Sequence, residues 1–311
     1  MRIVFMGTPE FAVAPLEYLV LNGLEVVAVY TQPDREAGRG RATAPPPVKI
    51  TALKLGLPVR QPANLKPPEE RAKLAELKPD VIVVAAFGQI LSRTVLELPP
   101  HGCLNIHPSL LPKHRGVAPV PAAILNGDVF TGVSIMKLDT GVDTGPILAR
   151  AQTPVSDWDT AGTLTEKLSR IGAHLLVEIL PRWIQGQVIP RQQDGAEASY
   201  TNMIKKEDGE IDWTKPALEI WRRVRAYQPW PGSYTSWQGK QLKIIEAAVL
   251  PDGAGNPGQI VPLTGEIAFG VATGRGILGI MRVQMEGKRV MSSGEFLRGQ
   301  RQLLGASLPG E

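Results

Sequence analysis

Short apolar runs alternate with amphipathic stretches along the first half of the chain. Ile3-Val4-Phe5-Met6 stops at Gly7, Val26-Val27-Ala28-Val29-Tyr30 stops at Thr31, and Val81-Ile82-Val83-Val84-Ala85-Ala86 stops at Phe87-Gly88. Cys103-Leu104-Asn105-Ile106 follows Pro99-Pro100. Runs rich in β-branched residues with little polar alternation suit strands buried on both faces of a mainly parallel sheet. Residues 11–21 and 48–55 carry helical spacing between them, so the order βαβα predicts a doubly wound α/β domain. Such a sheet gathers ligand-binding loops at the carboxyl ends of its strands.

The pattern changes at Thr131. Residues 132–138 and 146–155 read as two further strands joined by Asp139-Thr140-Gly141-Val142-Asp143-Thr144-Gly145, and a long helix is predicted from an N-cap near Thr160 to Leu180. Composition then turns polar, and residues 191–208 are expected to be a linker between a first domain, 1–190, and a second, 209–311. In the second, one amphipathic helix over 216–227 places Trp221, Val224 and Tyr227 inward and leaves Arg222, Arg223 and Arg225 more exposed. Strand-like runs follow at 241–247, 258–261, 267–272 and 279–284, broken by Gly and Pro, which suggests a small barrel of OB-fold size.

Composition agrees with two soluble domains. The chain has 311 residues, 43% hydrophobic and 21% charged, with 32 Gly and 28 Pro that disfavour a simple helical bundle. One cysteine, Cys103, excludes a disulfide framework and a multi-cysteine metal site. The opening MRIVFMGTPEF has too short an apolar run for a signal peptide, and no stretch of membrane-spanning length follows. A cytoplasmic protein is expected. Net charge is only +4, and it is uneven: residues 205–311 hold 14 basic and 11 acidic side chains, and within 275–301 six basic residues face two acidic ones. A solvated surface explains this as well as a nucleic-acid partner does.

Candidate chemistry centres on Asn105-Ile106-His107-Pro108-Ser109-Leu110-Leu111-Pro112. Period two puts Asn105 and His107 on the same side of a strand end, and Pro108 closes the strand before a rigid turn. An amide donor beside an imidazole suits acyl transfer, because the amide N–H binds an oxyanion and the imidazole moves a proton or carries positive charge. Read alone, a histidine there is more often one satisfied at a sheet edge than a catalytic one. The Asp139–Gly145 loop offers carboxylates on a turn shaped by glycine; an Asp touching His107 would favour the imidazolium, although both could simply bond their own backbone. Gly7-Thr8-Pro9-Glu10-Phe11 lacks G-x-G-x-x-G, which argues against a nicotinamide enzyme, and no P-loop, G-x-S-x-G or metal-ligand cluster is present. The loop from Thr31 to Pro47 carries Arg35, Arg39 and Arg41 among glycines, a cationic arm suited to phosphate.

Together these pieces resemble the formyltetrahydrofolate-dependent formyltransferases. The marks are Phe5-Met6-Gly7-Thr8-Pro9-Glu10-Phe11, Asn105-x-His107-Pro-Ser-Leu-Leu-Pro, Lys113-His114-Arg115-Gly116, and Leu-Asp-Thr-Gly-x-Asp143-Thr-Gly. The likeness extends to the Gln32-Pro33-Asp34-Arg35 loop, Ile211-Asp212-Trp213 and Pro229-Trp230-Pro231, as in members that act on aminoacylated tRNA. It implies a Rossmann-like α/β catalytic domain followed by an OB-like β-barrel that binds tRNA. It implies a monomer that moves the formyl group of 10-formyltetrahydrofolate to the α-amino group of initiator methionyl-tRNA, without a metal. By matching position, Asn105, His107 and Asp143 are the catalytic set, with Asn105 and a cationic His107 stabilising the oxyanion and neither Cys103 nor Ser109 acting as nucleophile. Ser109, Leu110, Leu111 and Pro112, with Phe87, Gly88, Gln89, Ile90 and Leu91, form the folate site. Arg35, Arg39 and Arg41 belong to a loop that reaches the tRNA acceptor stem. The family commonly has an aromatic residue where His114 stands, so His114 is given no catalytic role. The rivals are a nucleotide-sugar N-formyltransferase of the UDP-amino-arabinose type, which shares the Asn/His/Asp set, and a non-catalytic RNA-binding protein. A phosphoribosylglycinamide formyltransferase is disfavoured because it needs only the first domain.

Overall fold

The computed structural model describes residues 1–37, 42–250, 253 and 255–310. Two compact units are present: Met1–Pro119, Phe130–Pro154 and Leu164–Thr201 form the first, and Val120–Val129, Val155–Thr163 and Asn202–Glu311 the second.

The first unit is built on a seven-stranded sheet. Its strands are β1 (Arg2–Gly7), β2 (Glu25–Tyr30), β3 (Val59–Arg60), β4 (Val81–Ala85), β5 (Cys103–His107), β6 (Phe130–Lys137) and β7 (Ile147–Pro154), in the order β7-β6-β5-β4-β1-β2-β3. The run from β5 to β3 is parallel, whereas β6 and β7 are antiparallel. All of β4 and all but the first residue of β1 are buried, as expected of strands covered on both faces. Helices Val13–Leu21, Pro47–Lys54 and Pro68–Glu76 connect the parallel strands. The predicted long helix runs Ala161–Ile184, and Thr160 caps it, its Oγ1 accepting the Thr163 N–H at 3.2 Å. That helix passes Pro181, which stands in its last turn, where the missing N–H leaves little further ladder unmade. The strand order reverses between β1 and β4, and such a reversal opens a crevice beyond the carboxyl ends.

The second unit carries the antiparallel strands β8 (Ser233–Trp237), β9 (Lys240–Leu250), β10 (Ile260–Pro262), β11 (Phe269–Ala272), β12 (Ile277–Met285) and β13 (Met291–Ser292). Their path is β8-β9-β12-β11-β10 with β13 on β12, an antiparallel half-barrel in keeping with the small OB-like barrel expected. Helix Ala217–Ala226 buries Ile220 and Val224 in the same core as Trp213, Leu242 and Phe269. Arg225 departs from the helical-wheel expectation. It is 9% exposed, donates to the backbone carbonyls of Asp159 (2.9 Å) and Ser156 (2.5 Å), and lies 4.3 Å from the Trp221 ring centroid. Carbonyl partners and an aromatic face offset the cost of its burial, which a wheel drawn from one helix does not include.

Candidate active site

β5 carries the site because its two faces differ. Leu104 and Ile106 point one way, and a Cβ added at Gly172 of helix Ala161–Ile184 would stand 2.7 Å from the Ile106 Cγ2. Cys103, Asn105 and His107 share the other face by the period of two. Pro108 cannot continue the ladder, and the chain turns with the Ser109 N–H donating to the His107 carbonyl at 2.9 Å. The half-buried Asn105 makes no side-chain hydrogen bond to a described residue, so its amide is available to a ligand.

His107 is held from both sides. Its Nε2 is 3.0 Å from the His114 carbonyl oxygen, and its Nδ1 is 3.6 Å from the Asp143 Oδ2; the side chains are 5% and 15% exposed. A carbonyl accepts only, so Nε2 bears the proton. Burial lowers the His107 pKa below its ordinary value, and His114 lowers it further, while Asp143 and the bond to the His114 carbonyl raise it. Burial prevails. The resting imidazole is therefore neutral with Nδ1 bare toward the carboxylate, and the imidazolium expected of an Asp-paired histidine is not the resting state.

The aspartates of the 139–145 loop divide their work. Asp139 Oδ1 accepts from the Gly141 N–H (3.0 Å) and Thr144 Oγ1 (2.7 Å), shaping the turn, while Asp143 Oδ2 accepts the Gly116 N–H at 2.8 Å and faces His107. Three non-glycine residues with positive φ border the site: Ala86 (46°), His114 (56°) and Asp143 (51°). Left-handed backbone is costly without glycine and persists where its surroundings over-determine it.

The expected folate residues fall into two groups. At the reversal of strand order, Thr8 Oγ1 and Gln32 Nε2 both donate to the Phe87 carbonyl (2.9 and 3.2 Å), fixing the loop after β4. Phe87 and Leu91 are buried anchors; Gly88 is exposed with φ 82°, Gln89 donates to the Pro62 carbonyl at 3.3 Å, and Ile90 is 95% exposed. In the turn, Leu110 is half-buried while Ser109, Leu111 and Pro112 are buried. Ser109 Oγ donates to the Lys113 carbonyl (2.6 Å), and Ser134 Oγ accepts the Leu111 N–H (3.0 Å) and donates to the Ser109 carbonyl (2.8 Å). These three hydrogen bonds, made by two hydroxyls, shape the turn. Cys103 is buried, and burial pushes its thiol up to about 12, which leaves no thiolate near neutral pH.

Arg35 is exposed, with Nη2 donating to Gln32 Oε1 at 3.2 Å; Arg39 and Arg41 lie outside the described residues. His114 is buried and serves His107 through its carbonyl. Sequence reasoning missed Gln193 and Ser199. Gln193 Nε2 donates to the carbonyls of Asp143 (2.8 Å) and Gly145 (2.7 Å), and Ser199 Oγ accepts the His114 N–H (2.9 Å). Both stand in a polar run whose composition carries no sign of these contacts.

Comparison with known proteins adds three findings. The family described as formyl transferase matches residues 1–180, and its C-terminal domain matches residues 203–301. A protein named methionyl-tRNA formyltransferase from Dehalococcoides mccartyi is 53% identical over 310 residues, covering 99% of this chain and 98% of its own; one of the same name from Chloroflexus aggregans is 52% identical over 303 residues, covering 96% and 97%. An N-formyltransferase from Helicobacter canadensis, solved with folinic acid and dTDP-3-aminofucose, has a TM-score of 0.66 at 22% identity over 92% of this chain and 99% of that one. HypX from Aquifex aeolicus, solved with tetrahydrofolic acid, scores 0.64 at 20% identity, and this chain spans 47% of its length. At such identities the two structures are similar in fold.

Proposed function

The chain belongs to the formyl transferase family, and from that premise we propose that Asn105, His107 and Asp143 carry its chemistry. It transfers the formyl group of 10-formyltetrahydrofolate to the α-amino group of methionine on initiator methionyl-tRNA. The approach of Asp143 to 3.6 Å from the bare Nδ1 of a buried His107, two positions from an Asn105 amide that bonds no described residue, carries this reading of the residues.

The nucleophile is the amine of the substrate, which must be uncharged; α-amines titrate at about 8, so part of it is free near neutral pH. Attack on the formyl carbon turns the carbonyl oxygen into an oxyanion, and the Asn105 N–H stabilises it. The amine must then lose a proton. His107 Nδ1 and Asp143 Oδ2 form an acceptor pair with one vacant proton position between them, so they take that proton and pass it to the leaving folate nitrogen. Nε2 cannot serve without releasing the His114 carbonyl. No covalent intermediate is involved: Cys103 is a buried thiol, and the Ser109 hydroxyl is donated to Lys113. The folate co-substrate occupies the crevice beyond β1, β4 and β5, with Ile90 and Leu110 supplying side-chain contact and Ser109, Leu111 and Pro112 the shape of the wall. Arg35, Arg39 and Arg41 contact tRNA phosphates. All three catalytic side chains come from one chain, in keeping with a monomer, and the substrate places the reaction in the cytoplasm with the machinery of translation.

The test is a formylation assay with 10-formyltetrahydrofolate and either methionyl-tRNA or UDP-amino-arabinose. Formyl transfer to methionyl-tRNA is expected, and folded Asn105→Ala should lose about a hundredfold in turnover, as other oxyanion donors do. Transfer to the nucleotide sugar alone would overturn the substrate; full turnover by Asn105→Ala would overturn the site.

A further inference from the structure

We propose that Gln193 is a positioning residue that holds the catalytic aspartate against His107. The inference rests on the roles given above to His107 and Asp143. Asp143 sits at the end of a turn shaped by the local bonds of Asp139; its own Oδ2 accepts the Gly116 N–H at 2.8 Å, and it occupies a left-handed conformation with φ 51°. A β-substituted residue there pays for the conformation in strain, so the surroundings must hold it. The Gly116 N–H holds its carboxylate, and its backbone is held by one side chain fifty residues further along. Gln193 Nε2 donates to the Asp143 carbonyl at 2.8 Å and to the Gly145 carbonyl at 2.7 Å, spanning the end of the loop with both N–H groups of its amide.

The amide is itself fixed from behind. Its Oε1 accepts from Arg115 Nη2 at 2.8 Å and Arg115 Nε at 3.1 Å, a two-pronged contact to a guanidinium that is 5% exposed. Arg115 Nη1 donates to the Tyr200 hydroxyl at 3.1 Å, and the Arg115 backbone N–H donates to the Ser199 carbonyl at 2.8 Å. Two residues earlier, Arg191 and Ile147 exchange backbone hydrogen bonds of 2.8 and 2.9 Å, which seats the segment beside β7. Among the exposed side chains of 191–197, Gln193 alone turns inward. The chemistry requires a primary amide: two donors for two carbonyls and one oxygen for a guanidinium. The segment also reaches the opposite side of the imidazole, because Ser199 holds the His114 N–H while the His114 carbonyl holds Nε2. One stretch thus sets both partners of His107, and Gln193 sets the catalytically active one.

Two variants test this. Gln193→Ala removes the amide. Gln193→Glu keeps its size and the acceptor for Arg115 but turns the donor into an oxygen facing two carbonyls. Each is made in the wild-type chain and in Asp143→Ala, and kcat and both KM values are measured at a temperature where circular dichroism shows every variant folded. Tenfold or greater loss of kcat is expected in the wild-type background, with the KM for methionyl-tRNA and for 10-formyltetrahydrofolate within twofold. In Asp143→Ala the same substitutions should cost less than twofold, because their target is gone. Equal losses in the two backgrounds would make Gln193 a general support of the fold and overturn the inference, as would unchanged kcat. If Gln193→Ala does not fold, Gln193→Glu decides. Undiminished turnover by Asp143→Ala alone would instead overturn the catalytic assignment; loss in Asp143→Ala with none in the Gln193 variants would overturn only the role of Gln193.

Discussion

His107 lies between a carbonyl that requires a proton and a carboxylate that would welcome one. If proximity to Asp143 decided its charge, the ring would be cationic at rest; burial outweighs that attraction and keeps it neutral. A neutral base near neutral pH suits a reaction in which an amine must shed a proton. The linkage to stability follows in sign. Because the folded-state pKa is lowered, the unfolded chain binds its proton first as pH falls, from about 6.5. The contribution of a neutral His107 is therefore fully present above that pH and is lost as pH falls toward the folded-state value. Urea titrations should show wild-type stability declining more steeply than that of His107→Gln below about pH 6.5. In Asp143→Asn the charge that raises His107 is removed, so its ring resonances should titrate at still lower pH by NMR. A rise in that variant would mean that Asp143 is not the partner of His107.

At the scale of elements, what the sequence made legible was local. Asn105 and His107 share a face because they are two apart, and the parallel strands announce themselves as β-branched runs ending at Gly7, Thr31 and Phe87. Pro108 and the turn after it could be read from residue type alone. The contacts that make a site were not legible, because they join positions far apart: Asp143 to His107, Gln193 to Asp143, Ser199 to His114. Nor does residue type announce positive φ at Ala86, His114 and Asp143, where glycine is the usual occupant. In the second half, the wheel that exposed Arg225 counted only its own helix and omitted the carbonyls of Ser156 and Asp159. The back of β5 gives a prediction at this scale. Gly172 lets helix Ala161–Ile184 lie close to Ile106, since any Cβ there would come within 2.7 Å of the Ile106 Cγ2. Val and Gly differ by only a few tenths of a kcal/mol in helix propensity, so Gly172→Val reports packing. Overpacking should cost about 1–3 kcal/mol in a urea titration, and the displacement of β5 should lower turnover although Gly172 touches no substrate. An unchanged midpoint would show that the helix has room to spare.

At the scale of the whole molecule, the formal charge of +4 is a small excess of 34 basic over 30 acidic side chains, and it acquires meaning through placement. Residues 1–204 are nearly balanced, with 20 basic and 19 acidic, while residues 205–311 carry three more cations than anions. Arg35, Arg39 and Arg41 add a local concentration to the balanced part. A small folate gains little from such a distribution, whereas an RNA polyanion releases a counterion for each phosphate neutralised. Each contact contributes about 0.7–0.9 to the slope of log affinity against log salt. Affinity for methionyl-tRNA should therefore fall steeply between 50 and 200 mM salt in a filter-binding titration, while the KM for 10-formyltetrahydrofolate stays nearly level. Replacing the three arginines with alanine should flatten the tRNA slope by about 2–3 and leave kcat at saturating tRNA within a few-fold, as the proposed phosphate-gripping role requires. An unaltered slope would remove the loop from the tRNA interface and assign the phosphate contacts to the basic residues beyond 204; a lost kcat with an unaltered slope would move those arginines into the catalytic step.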